Sequence, residues 1–149
     1  LSLYLVAALL DDDVPVASGI TGQLGGVAGM QGSKLSGVTV ALPADEVEKG
    51  MAIDPTGELL GDAYGAVISH ELGHFLGLWH PIEQDGVWAD PVVDTPSCTP
   101  PVGTKVWDAT VCPAAAKNLM FWAYNPNGTS VSAGQAKVVR RHPSLRTVP

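Results

Sequence analysis

The chain has 149 residues, of which 46% are hydrophobic and 15% are charged, and its formal net charge is −7 at pH 7. This length suits a single domain spanning residues 1–149, large enough to bury a sizeable core. The acidic balance lacks the basic surface of a nucleic-acid-binding domain, so no nucleic-acid partner is expected.

The chain begins with an apolar stretch. Leu1–Val6 is rich in β-forming residues and precedes an acidic turn, so we predict a buried strand. Leu1–Leu10 is too short to span a bilayer and lacks the basic lead-in of a signal peptide, so no membrane insertion is expected. Because the first residue is not Met, we interpret the chain as a processed or excised piece of a longer precursor.

A glycine-rich stretch and a short alternating stretch follow. Gly19–Gly37 contains seven glycines and is predicted to be a long loop with little helix or strand. Gly37–Leu42 alternates and stops before a proline, which predicts a strand. This strand is either an edge that pairs with an extended substrate or an ordinary strand of the sheet. Residues 44–61 are predicted to be a connection.

The most informative stretch reads H-E-x-x-H-x-x-G-x-x-H from His70 to His80. In a helix, residues four apart lie on the same face, so His70 and His74 can bind one metal ion. Glu71 lies on the flank of that face, where its carboxylate can act as a base rather than as a ligand. Gly77 can end the helix in a left-handed conformation, and the chain then returns with His80 as the third ligand.

The helix that carries this motif is predicted to begin at an N-cap, Asp62. Its apolar residues form a broad arc beside the histidines, which predicts that one side packs in the core while the neighbouring side lines a cleft. The members of this arc are Tyr64, Val67, Ile68, Leu72, Phe75 and Leu76.

An acidic, proline-broken segment follows the motif. Clustered carboxylates can hold Ca²⁺, which takes six to eight oxygen ligands, but an ordinary solvated acidic loop is the alternative interpretation. The carboxylates concerned are Glu83, Asp85, Asp90 and Asp94.

The two cysteines, Cys98 and Cys112, both follow the histidine motif and do not form a C-x-x-C pair. We expect a disulfide, which would indicate a location outside the cytosol; two free buried thiols are the alternative. Farther on, Ser132 and Gln135 match a capping box, which predicts a short helix that ends before Pro143.

The chain resembles the pappalysin branch of the metzincins, which are extracellular zinc endopeptidases with a mixed α/β fold divided by a cleft. The histidine motif is the most specific part of this resemblance. The residues that carry it are His70–His80, Asp94-Thr95-Pro96 with Cys98, Cys112, Asn118-Leu119-Met120, and Ser132 with Gln135.

The resemblance implies roles for two further residues. Met120 would be the methionine of a tight turn beneath the zinc, although without the family it is an ordinary core methionine. Related enzymes often place a tyrosine two residues later, where this chain has Trp122, so Tyr124 becomes a candidate for the cleft or the oxyanion. The family's calcium sites and its disulfide fit the acidic loop and the two cysteines.

The resemblance also implies elements that this sequence does not show. Pappalysin-like domains usually begin with a strand, a helix and another strand before the segment that Leu1–Val6 resembles. These elements have been removed, or belong to an associated propeptide or N-terminal fragment, or the fold is a reduced version.

Together, these patterns predict an α+β metzincin-like domain, in which a twisted sheet packs on the active-site helix and a loop-rich C-terminal subdomain ends in a short helix. The predicted function is that of a secreted zinc endopeptidase acting on protein or peptide substrates. One Zn²⁺ is held by His70, His74 and His80, and Glu71 activates a zinc-bound water. The alternatives are a non-catalytic zinc-stabilised binding module and a zinc hydrolase of a non-protein amide.

Overall fold

The computed structural model describes residues 2–6, 8–11, 14–15, 19–21, 37–41 and 60–145. Within these segments the fold is α+β, as predicted. The strands are β1 (Ser2–Val6), β2 (Leu10–Asp11), β3 (Val14–Pro15), β4 (Gly19–Thr21) and β5 (Gly37–Ala41). The helices are α1 (Leu60–Phe75) and α2 (Ala133–Arg141), with single 3₁₀ turns at Ala115–Lys117 and Pro143–Leu145.

The main sheet has the strand order β1-β5-β4, while β2 and β3 pair separately. β5 runs parallel to β1 and antiparallel to β4, with Ile20 opposite Thr39. The β5 side chains Val38 and Val40 are buried, which agrees with a central position. Of the two interpretations of this strand, an ordinary strand of the sheet is therefore the correct one. β5 has a neighbour on each side, so it is not an edge that could pair with a substrate.

The prediction that Leu1–Val6 is a buried strand was wrong about burial. β1 forms a strand, but it lies at an edge of the described sheet, and Leu3 and Leu5 are 49% and 56% exposed. An apolar run indicates a strand without showing how many neighbours will cover it.

The predicted loop from residue 19 onward was wrong at its start, where β4 forms; residues 22–36 lie outside the described segments. Gly19 was interpreted as a sign of irregular structure, but its absent side chain has a packing role. A Cβ atom at this position would lie 2.6 Å from Glu71 Cγ, so glycine allows β4 to approach α1.

The helix α1 begins at Leu60, two residues before the predicted N-cap Asp62. Its predicted apolar arc is confirmed, because these side chains pack with Phe75 against Val38 and Val40 of β5. The predicted stop at Gly77 is also confirmed, since its φ is 95°. The N–H groups of Gly77 and Leu78 donate to the carbonyls of His74 and Gly73, both at 2.9 Å, and these two bonds close a Schellman motif.

The segment between the two helices has little regular structure and is held by cross-links. The predicted disulfide between Cys98 and Cys112 is confirmed, with a Cα–Cα distance of 5.3 Å. Cys112 packs with Ile82 and Phe121 in a second apolar cluster. The predicted capping box is confirmed at the start of α2, where Gln135 N donates to Ser132 Oγ and Ser132 N donates to Gln135 Oε1.

No helix within the described part of the chain combines the length and apolar character needed to cross a membrane.

The C-terminal segment reaches α1 through a buried methionine. Met120 is fully buried, and a Cβ atom added at Gly73 would overlap its Sδ atom. Gly65, in the same helix, has no atom within 4 Å of such a position. One helix glycine therefore has a packing role that the other lacks.

We predict opposite effects for alanine at these two glycines. Gly73→Ala should destabilise the protein by about 1–3 kcal/mol, because the added methyl group meets Met120. Gly65→Ala should stabilise it by about 0.5–1 kcal/mol, because alanine is the better helix former and the site is open. Urea unfolding of both variants measures the difference, and equal stabilisation by the two would contradict the packing role of Gly73.

Candidate metal centre and active site

Three histidine side chains converge at the C-terminal end of α1. His70 and His74 lie one turn apart, and the turn at Gly77 returns the chain so that His80 meets them. The Nε2 atom of His80 lies 3.1 Å from that of His70 and 3.0 Å from that of His74. Among the described residues, these three form a group whose ligand atoms lie close enough together to hold one metal ion.

The surroundings of the rings determine where their protons lie. Each Nδ1 atom lies 2.8–2.9 Å from an oxygen that can only accept a hydrogen bond, so Nδ1 carries a proton, and a neutral ring then has its lone pair on Nε2. Two neutral rings in this tautomer cannot hydrogen-bond through their Nε2 atoms, because neither atom has a proton to donate. The three acceptors are the Leu119 carbonyl for His70, the Leu78 carbonyl for His74 and the Glu83 carboxylate for His80.

This arrangement fits a zinc ion. Tetrahedral zinc with Zn–N bonds of about 2.0–2.1 Å places its nitrogen ligands about 3.3–3.4 Å apart, close to the separations found here. Burial lowers the pKa of His70 to about 4 and lowers the pKa of His74 as well. These two rings are therefore neutral at neutral pH, as metal ligation requires.

Glu71 is buried next to the histidines, with only 7% of its surface exposed. Its carboxylate accepts a hydrogen bond from the backbone N–H of Thr21 in β4, but burial dominates and raises the pKa of Glu71 from 4.5 to about 7. A carboxyl group with a pKa near neutrality can both accept and release a proton. The element that holds Glu71 is the strand that sequence analysis missed.

Met120 lies in a tight turn next to the histidines. The Phe121 N–H donates to the Asn118 carbonyl at 3.0 Å, which closes a four-residue turn with Leu119 and Met120 at its centre. The Leu119 carbonyl accepts the bond from His70 Nδ1. The turn that contains Met120 therefore contacts the His70 ring directly, through the Leu119 carbonyl. The role of the methionine in supporting the metal stays a prediction.

A cleft of about 570 Å³ surrounds the histidines and Glu71. It is lined by β4 and by the segment around Trp122 and Tyr124. Tyr124 lines this cleft and is 48% exposed. Trp122 also lines it, and its indole N–H donates to the Trp107 carbonyl at 2.9 Å. Tyr124 is therefore placed to meet a ligand, and its role in catalysis stays a prediction.

The carboxylates of the acidic segment, for which calcium was predicted, accept hydrogen bonds from other groups of the protein. Glu83 accepts from His80, and Asp85 accepts from the Val87 backbone N–H. Asp90 and Asp94 accept bonds from other side chains and backbone groups. The calcium prediction stays untested. Sequence analysis missed the contact of Glu83 with His80 because it grouped the four carboxylates by charge. The spacing of three residues between His80 and Glu83 was the signal that could have indicated it.

Comparison with known proteins gives partial matches. The chain is 33% identical over 88 residues to proteins named extracellular metalloprotease from Arthroderma benhamiae and from Trichophyton verrucosum. Each match covers 55% of this chain and 32% of the relative, so the chain spans about a third of the length of the curated relatives it matches. No protein-family model matches the sequence. The chain therefore has distant, partial similarity to extracellular metalloproteases.

We predict that Glu83 strengthens metal binding through His80. Glu83→Ala should weaken Zn²⁺ binding by about 10–100-fold, because the ring loses the partner that orients it. Asp85→Asn is the matched control, since it removes one negative charge from the same loop without touching a histidine. Competition with a chromophoric chelator measures both affinities, and an equal loss in the two variants would show that only loop charge matters.

We also predict how Glu71 affects the stability of the metal-free protein. Its raised pKa means that the folded state binds more protons than the unfolded state between pH 4.5 and about 7. Stability is therefore lost as pH rises through this range, by about 1–3 kcal/mol. The Glu71→Gln substitution removes this contribution to the pH dependence of stability and leaves the contributions of the histidines. Urea unfolding with chelator present should show the variant gaining on the wild type as pH rises; parallel pH profiles would contradict the prediction.

Proposed function

We propose that this chain is the catalytic part of a secreted zinc endopeptidase. The observation that carries the proposal is the convergence of three histidine lone pairs beside the buried carboxyl group of Glu71. The partial similarity to two fungal extracellular metalloproteases supports it. The Cys98–Cys112 disulfide supports an extracellular location, because such bonds persist in oxidising compartments.

The proposed chemistry divides between the metal and Glu71. His70, His74 and His80 would hold the zinc ion, which would supply a Lewis acid able to lower the pKa of a water molecule to about 7. The Glu71 carboxylate accepts a proton from the attacking water and later returns it to the leaving amine. A nearby divalent cation favours the ionised carboxylate, which opposes the effect of burial.

The cleft favours a peptide over a small amide as substrate. β4 lies at an edge of the described sheet and lines the cleft. An exposed strand edge can hydrogen-bond to the main chain of an extended peptide and needs no particular side chain to do so. Tyr124, in the same cleft, is proposed to contact the substrate or the oxyanion, and Met120 to support the histidines from beneath.

The test is cleavage of denatured casein by the purified chain, with and without a zinc chelator. We expect chelator-sensitive cleavage, and we expect Glu71→Gln to retain zinc while its rate falls by about 10²–10⁴-fold. Asp85→Asn, away from the histidines, should cleave like the wild type.

Three other results would reject the proposal or a part of it. A wild-type protein that binds zinc but cleaves no casein and no short amide would be a zinc-stabilised binding module. Activity on short amides alone would identify a hydrolase of non-protein substrates. Full activity in Glu71→Gln would reject the role of this carboxylate.

A further inference from the structure

Two buried amide side chains connect the histidine cluster to helix α2. Asn118 is 2% exposed and Gln135 is fully buried, although both are polar. They lie in separate segments and are joined by a hydrogen bond of 2.8 Å from Asn118 Nδ2 to Gln135 Oε1. Because burying an amide is costly unless it is hydrogen-bonded, the partners of this pair show what it holds in place.

The outer amide, that of Gln135, has one orientation. Its Nε2 donates to Asp90 Oδ2 at 3.0 Å, and its Oε1 accepts from the Ser132 backbone N–H at 2.9 Å. A carboxylate can only accept and the backbone N–H can only donate, so exchanging the oxygen and nitrogen of Gln135 would break both bonds. Gln135 must therefore present its oxygen to Asn118, which orients the second amide in turn.

The inner amide, that of Asn118, holds the peptide unit that binds His70. Asn118 Oδ1 accepts from the backbone N–H of Met120 at 2.9 Å. This N–H belongs to the same planar peptide unit as the Leu119 carbonyl, which accepts from His70 Nδ1 at 2.8 Å. One group of the peptide is thus held by Asn118, and the other group orients the imidazole.

We propose that Asn118 and Gln135 are positioning residues for the metal centre, forming with Asp90 a relay that orients His70. The relay runs from the Asp90 carboxylate through two amides and one peptide to the His70 ring. Each bond polarises the next, which strengthens the Leu119 carbonyl as an acceptor and keeps the His70 proton on Nδ1. This inference rests on the metal centre of the proposed function, but it does not require that the protein cleave peptides.

The same helix provides a control variant that separates a loss of helix stability from a loss of His70 orientation. The Ser132 side chain caps α2 by accepting from the backbone N–H of Gln135, and it donates to Asp94. It takes no part in the relay, since the Gln135 side-chain amide contacts only the backbone N–H of Ser132. Ser132→Ala should therefore destabilise α2 while leaving His70 oriented.

The experiment compares Gln135→Met and Asn118→Leu with Ser132→Ala, using metal binding by the folded protein. The two relay variants keep the side-chain size and lose the hydrogen bonds. We expect them to bind Zn²⁺ about tenfold more weakly in chelator competition, and to shift the absorption spectrum of bound Co²⁺. Ser132→Ala should lower the melting temperature while keeping the wild-type Zn²⁺ affinity and Co²⁺ spectrum.

Wild-type Zn²⁺ affinity and an unchanged Co²⁺ spectrum in Gln135→Met would overturn the proposal, even if its melting temperature fell. If the relay variants do not fold, the Asp90→Ala variant is used to test the relay in the same Zn²⁺-binding measurement. It removes the outer carboxylate from a loop, and an unchanged Zn²⁺ affinity would again overturn the relay. A wild-type protein that binds Zn²⁺ but cleaves no substrate would reject the peptidase alone, because every readout here uses the metal by itself.

Discussion

The structure depends on one electrostatic constraint, the approach of the His70 and His74 Nε2 atoms to within about 3.1 Å of the Nε2 atom of His80. This approach is unfavourable unless a cation is shared, and it requires each ring to keep its proton on Nδ1. Three acceptors from three parts of the chain meet that requirement. One belongs to the turn after α1, one to the loop that follows it and one to the turn at Met120. The segments that provide them are held in turn by the Schellman motif, the loop hydrogen bonds and the buried amides.

Burial acts in opposite directions on the two kinds of ionisable group at this site. It lowers the pKa of His70 to about 4 and raises that of Glu71 to about 7, so desolvation favours the neutral form of both. A bound cation reverses this for the carboxyl group, because positive charge favours its ionised form. His70 and His74, which burial already keeps neutral, need no such change. The metal-free site is therefore ready to accept a cation, while the state of Glu71 depends on whether the cation is present.

The C-terminal part of the chain is held mainly by specific bonds rather than by regular structure. Its apolar cluster around Phe121 is small, and it is supplemented by the disulfide and by side-chain bonds to backbone groups, such as that of Asn125 to the Ala116 carbonyl. Gly19 in β4 lets this strand approach α1 closely, and Gly73 in α1 lets Met120 approach the same helix. Close approach at these two places puts β4 against Glu71 and the Met120 turn next to His70.

The sequence by itself determined the features that depend on neighbours along the chain. The spacing of His70 and His74, the turn at Gly77 and the capping box at Ser132 follow from helix geometry, which links residues three to five apart. Tertiary structure decided the features that depend on which distant segments meet. These include the exposure of β1, the strand at Gly19, and the burial of Asn118 against Gln135. Each depends on a hydrogen bond or a contact between segments that lie 16 or more residues apart in the chain, and a local pattern cannot show which partner will be available.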